Sequence, residues 1–209
     1  MENSQFIILG LNYEFNIPIS AFFDIDKDPL SFKVFKNQNE NLPSWLFFDS
    51  DRKLLNGKPE VKDISYIQDQ NKYYQAFQIT ISVSDTVGLT AKASFSLIVY
   101  NNPPIYNLES QSTNDQILIL GYSYDWSLAI NVFSDPDQDT LTFEASLNEG
   151  GNLPKWLNFD KDRKRFFGKP TTKDIAKIDA EANYQEIVIS VKVRDVVNLM
   201  KSLRLILLL

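Results

Sequence analysis

The 209-residue sequence has no cysteine and no histidine, and only 7 glycines and 2 methionines. Without cysteine there is no disulfide, no thiolate metal site and no thiol nucleophile. Without histidine, imidazole bases, Ser-His-Asp triads and the commonest zinc ligands are excluded as well. Long apolar runs are missing too: the longest candidate is Leu205 to Leu209, far short of the roughly 20 residues that cross a bilayer. The opening stretch, Met1 to Asn12, has neither the basic n-region nor the small-residue cleavage site of a secretory leader. Phosphate loops, dinucleotide fingerprints and nucleophile elbows are absent. Among the 18 asparagines none sits in an Asn-x-Ser/Thr acceptor. The net charge of −6 leaves no basic stripe for phosphates, which argues against nucleic acid and suits cations.

What is present is the composition of a folding chain, 44% hydrophobic and 23% charged. The length accommodates two domains of ordinary size, each able to bury a core. The chain is in fact written twice. Shifting it by 111 residues lays Ile7 to Ile64 on Leu118 to Ile175 with 28 identities in 58 positions. Leu9-Gly10 falls on Leu120-Gly121, Tyr13 on Tyr124, and Asp24, Asp26 and Asp28 on Asp135, Asp137 and Asp139. The block from Asn41 through Trp45 to Asp49 falls on Asn152 through Trp156 to Asp160, and Gly57-Lys58-Pro59 on Gly168-Lys169-Pro170. One residue is lost near Gln70, after which Asp85 falls on Asp195 at an offset of 110.

Between the copies, Asn101-Asn102-Pro103-Pro104 holds the backbone extended and cannot donate from its prolines, so it reads as a short, stiff linker. The expected domains are 1–101 and 102–209, with the linker at about 100–104. Leu209 aligns with Val99, just ahead of the first linker, so a longer parent array is expected.

Within each copy the apolar period is two. Phe77, Ile79, Ile81 and Val83 alternate with polar residues, as do Ile187, Ile189, Val191 and Val193. Ala93 to Val99 and Leu203 to Leu209 give a second alternating strand, joined to the first by a hairpin-scale turn at Asp85 to Leu89. Phe15, Ile17 and Ile19, then Leu30, Phe32 and Val34, flank the aspartate-rich turn. Short strands near Trp45 to Phe48 and Leu54 to Gly57 complete about seven per copy. The stretch Val61 to Lys72 is expected to be an irregular connection. Seven short strands in roughly 100 residues predict an all-β chain of two tandem, antiparallel Greek-key sandwiches.

The aspartate turn followed by Leu-x-Phe, the Leu-Pro-x-Trp-Leu-x-Phe-Asp block, the Gly-x-Pro after it, the strand ending in Asp85 or Asp195, and the Val99 to Pro104 junction together resemble the dystroglycan-type cadherin-like repeat. The resemblance covers essentially the whole chain, twice. It implies immunoglobulin-like sandwiches in an extracellular or cell-surface adhesion or matrix protein, often in arrays and often calcium-binding. Where cadherins proper carry an aspartate-rich linker, this chain has Asn101 and Asn102.

The aspartate triplets offer hard oxygen ligands of the kind calcium takes. A sandwich puts the turn bearing Asp135, Asp137 and Asp139 at the same end as Asp195, so Asp195 is expected near Asp135 and Asp137, where Asn101 and Asn102 also arrive. Carboxylates ~5 Å apart repel by roughly 3 kcal/mol at an effective dielectric of 20, so their convergence invites a cation. The other reading is a hydrated turn in which each aspartate caps its own backbone. Asp24, Asp26, Asp28 and Asp85 repeat the cluster in the first copy, with no linker residues ahead of it in the sequence.

Trp45 and Trp156 have the aromatic faces of sugar platforms, but equivalent positions followed by Leu-x-Phe favour the core. Asp49 with Asp51, and Asp160 with Asp162, have the composition of a glycosidase acid and base pair. Adjacent Arg52 and Arg163 favour ion-paired turns instead. The expectation is therefore a non-enzymatic repeat that binds calcium and contacts other chains or neighbouring repeats. The alternatives are a calcium-free assembly module, with Ile98, Ile206 and Leu208 facing outward, and a carbohydrate-binding domain.

Overall fold

Most of the alternating apolar runs become strands in both copies. The computed structural model describes residues 4–37, 39–64, 67–69, 72–107, 116–148, 150–175 and 184–209. Contacts divide the chain into two units, Met1–Asn101 and Asn102–Leu209.

The first unit holds β1 (Ser4–Ile8), β2 (Tyr13–Asn16), β3 (Ser31–Lys36), β4 (Leu46–Asp49), β5 (Leu54–Gly57), β6 (Ile67–Asp69), β7 (Lys72–Ser84) and β8 (Thr90–Asn101). One sheet runs β1-β8-β7-β3, with β6 added against β7; the other runs β2-β5-β4. The pairing is antiparallel except at one edge, where β1 lies parallel to β8 from Ser4 opposite Ser96 to Ile8 opposite Tyr100. Phe77, Ile79, Ile81 and Val83 on β7 and Phe95, Leu97 and Val99 on β8 are all buried between the sheets. Each large apolar side chain so enclosed contributes about 1.5–3 kcal/mol relative to exposure.

The second unit repeats the plan with β10 (Gln116–Ile117), β11 (Tyr124–Ser127), β13 (Thr142–Leu147), β14 (Leu157–Asp160), β15 (Arg165–Gly168), β16 (Glu186–Arg194) and β17 (Met200–Leu208). Its sheets run β10-β17-β16-β13 and β11-β15-β14. It adds a two-stranded pair, in which β9 (Ile105–Tyr106) lies antiparallel to β12 (Phe133–Ser134). The chain is thus two tandem all-β sandwiches of immunoglobulin-like strand order.

The Gly-Lys-Pro signature has a steric cause. A Cβ on Gly57 would sit 2.1 Å from the backbone oxygen of Trp45, and one on Gly168 would sit 1.9 Å from that of Trp156. Neither glycine has a positive φ. Glycine is required because the tryptophan's backbone carbonyl, just ahead of the neighbouring strand, lies too close for any side chain. Trp45 itself is buried, edge-on to Phe77 at 5.7 Å.

Three local expectations change. The strand over Phe15 to Ile19 stops at Asn16: Pro18 precedes a 3-10 turn over Ile19–Ala21, and Ile19 is exposed. The connection over Val61 to Lys72 is partly regular, with a 3-10 turn at Val61–Asp63 and β6 pairing β7. Residues 65, 66, 70 and 71 of that connection lie outside the described residues. Ile98, Ile206 and Leu208 are half-buried rather than exposed. Strands β1 and β10 flank β8 and β17, and Phe6 and Ile117 take the outer exposure instead.

Candidate metal centre

Two turns build the acidic end of the second unit. In the first, Asp135 Oδ1 accepts the backbone N–H of Asp137 at 2.8 Å and of Asp139 at 3.3 Å, while Gln138 takes the left-handed φ of 65° that tightens the loop. In the second, between β16 and β17, Asp195 Oδ1 accepts the N–H of Val197 at 2.9 Å and of Leu199 at 2.8 Å, with Asn198 at φ 67°. Asp135 and Asp195 each fold their own loop with one oxygen.

Asp135, Asp139 and Asp195 each present a carboxylate oxygen, and the three lie within 4.8 Å of one another. That spacing fits across a calcium ion, whose ligands stand at about 2.3–2.6 Å and so lie up to roughly 5 Å apart. Asp195 is only 4% exposed, and its carboxyl is pushed up to about 6, mainly by burial and then by the charges of Asp135 and Asp139. Asp135 Oδ2 is buried with no hydrogen-bond partner. A buried carboxylate oxygen without a donor is costly unless a proton or cation meets it. With no histidine or cysteine in the chain, an all-oxygen set favours calcium or another hard cation over zinc.

The remaining expected ligands are placed differently. Asp137 is buried, and its carboxylate receives the backbone N–H of Asn102 and, at 2.7 Å, that residue's side-chain Nδ2. Asp137 therefore fastens the linker and does not join the trio. Asn102 is a donor to Asp137, a role that residue type alone did not distinguish from carbonyl ligation. Asn101 is the buried last residue of β8.

In the first unit Asp24 Oδ1 accepts the N–H of Asp26 at 2.8 Å and of Asp28 at 3.1 Å, and Asp85 Oδ1 accepts those of Val87 at 3.0 Å and Leu89 at 2.8 Å. Asp28 Oδ2 accepts the Thr86 hydroxyl at 3.0 Å. The same turns form, yet Asp24, Asp28 and Asp85 do not make a three-carboxylate cluster like that of the second unit. Asp26 is exposed, unlike its counterpart Asp137.

The other candidates resolve into structure. Trp45 and Trp156 are both buried and present no platform to solvent. Asp49 Oδ1 accepts the N–H of Asp51 and of Arg52, both at 3.0 Å; Asp160 does the same for Asp162 and Arg163, and Arg163 pairs with it at 3.7 Å. These are turn-forming aspartates. Sequence reading missed β9: the Ile105-Tyr106 pair after the two prolines was the available signal, but two residues are too few for a period to register.

A family model described as "Putative Ig domain" matches residues 3–100 and again 103–193. The chain belongs to this He_PIG family. The two matches fall on the two units, one He_PIG repeat each. No curated protein matches the chain. Among solved structures, similarity extends to the extracellular domain of protocadherin GammaB4, at 11% identity and a TM-score of 0.36, covering 100% of this chain and 33% of that one. A protocadherin structure titled PcdhgB3 EC1-4 gives 14% and 0.38 over 98% and 46%. An endo-fucoidan hydrolase of glycoside hydrolase family 107 gives 18% and 0.33 over 97% and 32%. The chain thus spans from about a third to under half the length of these structures. Among the described residues no helix is long and apolar enough to cross a membrane.

Proposed function

We propose that the chain is a non-enzymatic pair of He_PIG repeats, of the dystroglycan-type cadherin-like kind, within a longer extracellular or cell-surface protein. Residues 1–101 and 102–209 act as separate domains, and calcium held at the start of the second stiffens the junction between them. The observation that carries this reading is the convergence of Asp135, Asp139 and Asp195, with a buried, unpartnered oxygen on Asp135. Backbone carbonyls or the side chains of Asn101 and Asn102, together with water, would complete the six to eight oxygens that calcium takes. Extracellular modules of this type bind in the range of about 10⁻⁴ to 10⁻³ M, so the site would follow external calcium and ignore cytosolic levels. Its partners would be other protein chains or neighbouring repeats.

Calorimetric titration of calcium into the chain tests the proposal. One site of submillimolar to millimolar affinity, lost in Asp195→Asn, is the expected result. No heat, together with identical melting in EDTA and in millimolar calcium, would remove calcium from the account and leave an assembly module.

A further inference from the structure

The two repeats differ at the end that carries the aspartate turn. In the second, β9 pairs with β12, placing Tyr106 opposite Phe133 and Ile105 opposite Ser134. The Tyr106 and Phe133 rings stand 5.5 Å apart, Pro104 is fully buried, and the Asn107 N–H donates to the Val132 oxygen at 2.9 Å. Val132 and Phe133 are buried there, as are Val197 at 9% exposure and Leu199 at 4%.

The corresponding surface of the first repeat carries no such strand pair among the described residues. Phe22 and Phe23, the counterparts of Phe133 and Ser134, pair with no strand among the described residues. Phe23 is 82% exposed, Ile25 86%, Val87 77% and Leu89 72%. An open groove of about 350 Å³ runs between the two turns, lined by Ala21, Phe22, Phe23, Asp24, Asp85 and Leu89 among others. Four large apolar side chains clustered at one end of a small domain mark a contact surface. The second repeat displays what the matching surface receives.

We infer that the Phe22–Phe23 edge of the first repeat is the docking site for an extended segment with the chemistry of Asn102–Tyr106. The incoming segment pairs with Phe22–Phe23 antiparallel, as β9 pairs with β12. Its leading asparagine meets Asp26, the counterpart of Asp137. Its apolar pair covers Phe22 and the Val87 and Leu89 side chains. Phe23 in place of Ser134 and Ile25 in place of Pro136 make this surface more apolar than its occupied counterpart. The inference goes beyond the calcium reading and stands without it.

The test replaces Met1 of the full chain with a copy of residues 102–112, which restores the register of the repeat. The comparison protein carries the same extension with both its isoleucine and its tyrosine changed to aspartate. Hydrogen exchange is followed in EDTA, so that no metal contributes. Amides of Ala21–Asp24 and Val87–Leu89 should exchange at least tenfold more slowly in the native-sequence extension than in the aspartate version. Equal exchange in the two proteins would overturn the inference. A concentration-dependent dimer of the 209-residue chain that persists when the extension is present would also overturn it, by assigning the surface to a second copy.

Discussion

Asn102 gives both its backbone N–H and its side-chain Nδ2 to the carboxylate of Asp137, thirty-five positions further along the chain. The pair ties the residue before Pro103-Pro104 to the loop that also holds Asp135 and Asp139. Both oxygens of Asp137 are engaged, so this aspartate positions the linker and leaves ligation to its neighbours.

Asp137→Ala should therefore act on stability. Charge-assisted hydrogen bonds contribute about 1.5–3 kcal/mol each to a buried group, and the substitution leaves both donors of Asn102 without their acceptor. Urea unfolding should show the second repeat weakened by roughly that amount. Calcium affinity should change by less than the loss seen on altering a ligand.

Asp135→Asn, Asp139→Asn and Asp195→Asn should each weaken calcium binding by roughly tenfold or more, because each removes a charged oxygen from one sphere. Calorimetric titration measures this directly. Asp24→Asn and Asp85→Asn, whose carboxylates form no such trio, should leave the measured affinity of the second repeat unchanged.

Asp195 makes the metal-free protein sensitive to pH. Its carboxyl titrates near 6 in the folded chain against an ordinary value of 3.8, chiefly because it is buried. The folded state then holds the proton more tightly than the unfolded state. The stability this contributes is complete below pH 3.8 and is lost as pH rises through about 6. In EDTA the melting temperature of the second repeat should therefore gain from Asp195→Asn at pH 7 and gain little at pH 4. With calcium at neutral pH the wild-type protein should be the more stable of the two.

Gly57→Ala and Gly168→Ala should both destabilise, since the new methyl would meet backbone oxygens that cannot turn aside. Overpacking of this kind costs about 1–3 kcal/mol, and more where backbone must shift. Thermal melts of the two variants should show comparable losses, because the two glycines meet the equivalent tryptophan carbonyl in each repeat.

Much of this architecture was legible because burial imposes a period. Ile187, Ile189, Val191 and Val193 announce a strand with one face inward, and all four are buried. The internal repeat doubled every such signal. The carboxylate trio was half legible. Asp135 and Asp195 could be brought to one end by strand order, but the division of labour between Asp137 and Asp139 could not be read. Both belong to the same alternating triplet, and only the course of the linker decides which of them meets Asn102. The strand ending at Asn16 was overextended because Ile17 and Ile19 keep the period while Pro18 breaks the ladder. Strand β9 escaped notice because its partner, Phe133–Ser134, is itself only two residues long.

The parallel pairing of β1 with β8 bears on how the first repeat would carry a mechanical load. The first strand and the last run side by side in the same direction, from Ser4 beside Ser96 to Ile8 beside Tyr100. Pulling the chain ends apart would drag these two neighbours past each other. Their cross-strand hydrogen bonds would have to break together, whereas a ladder opened from one end yields a rung at a time.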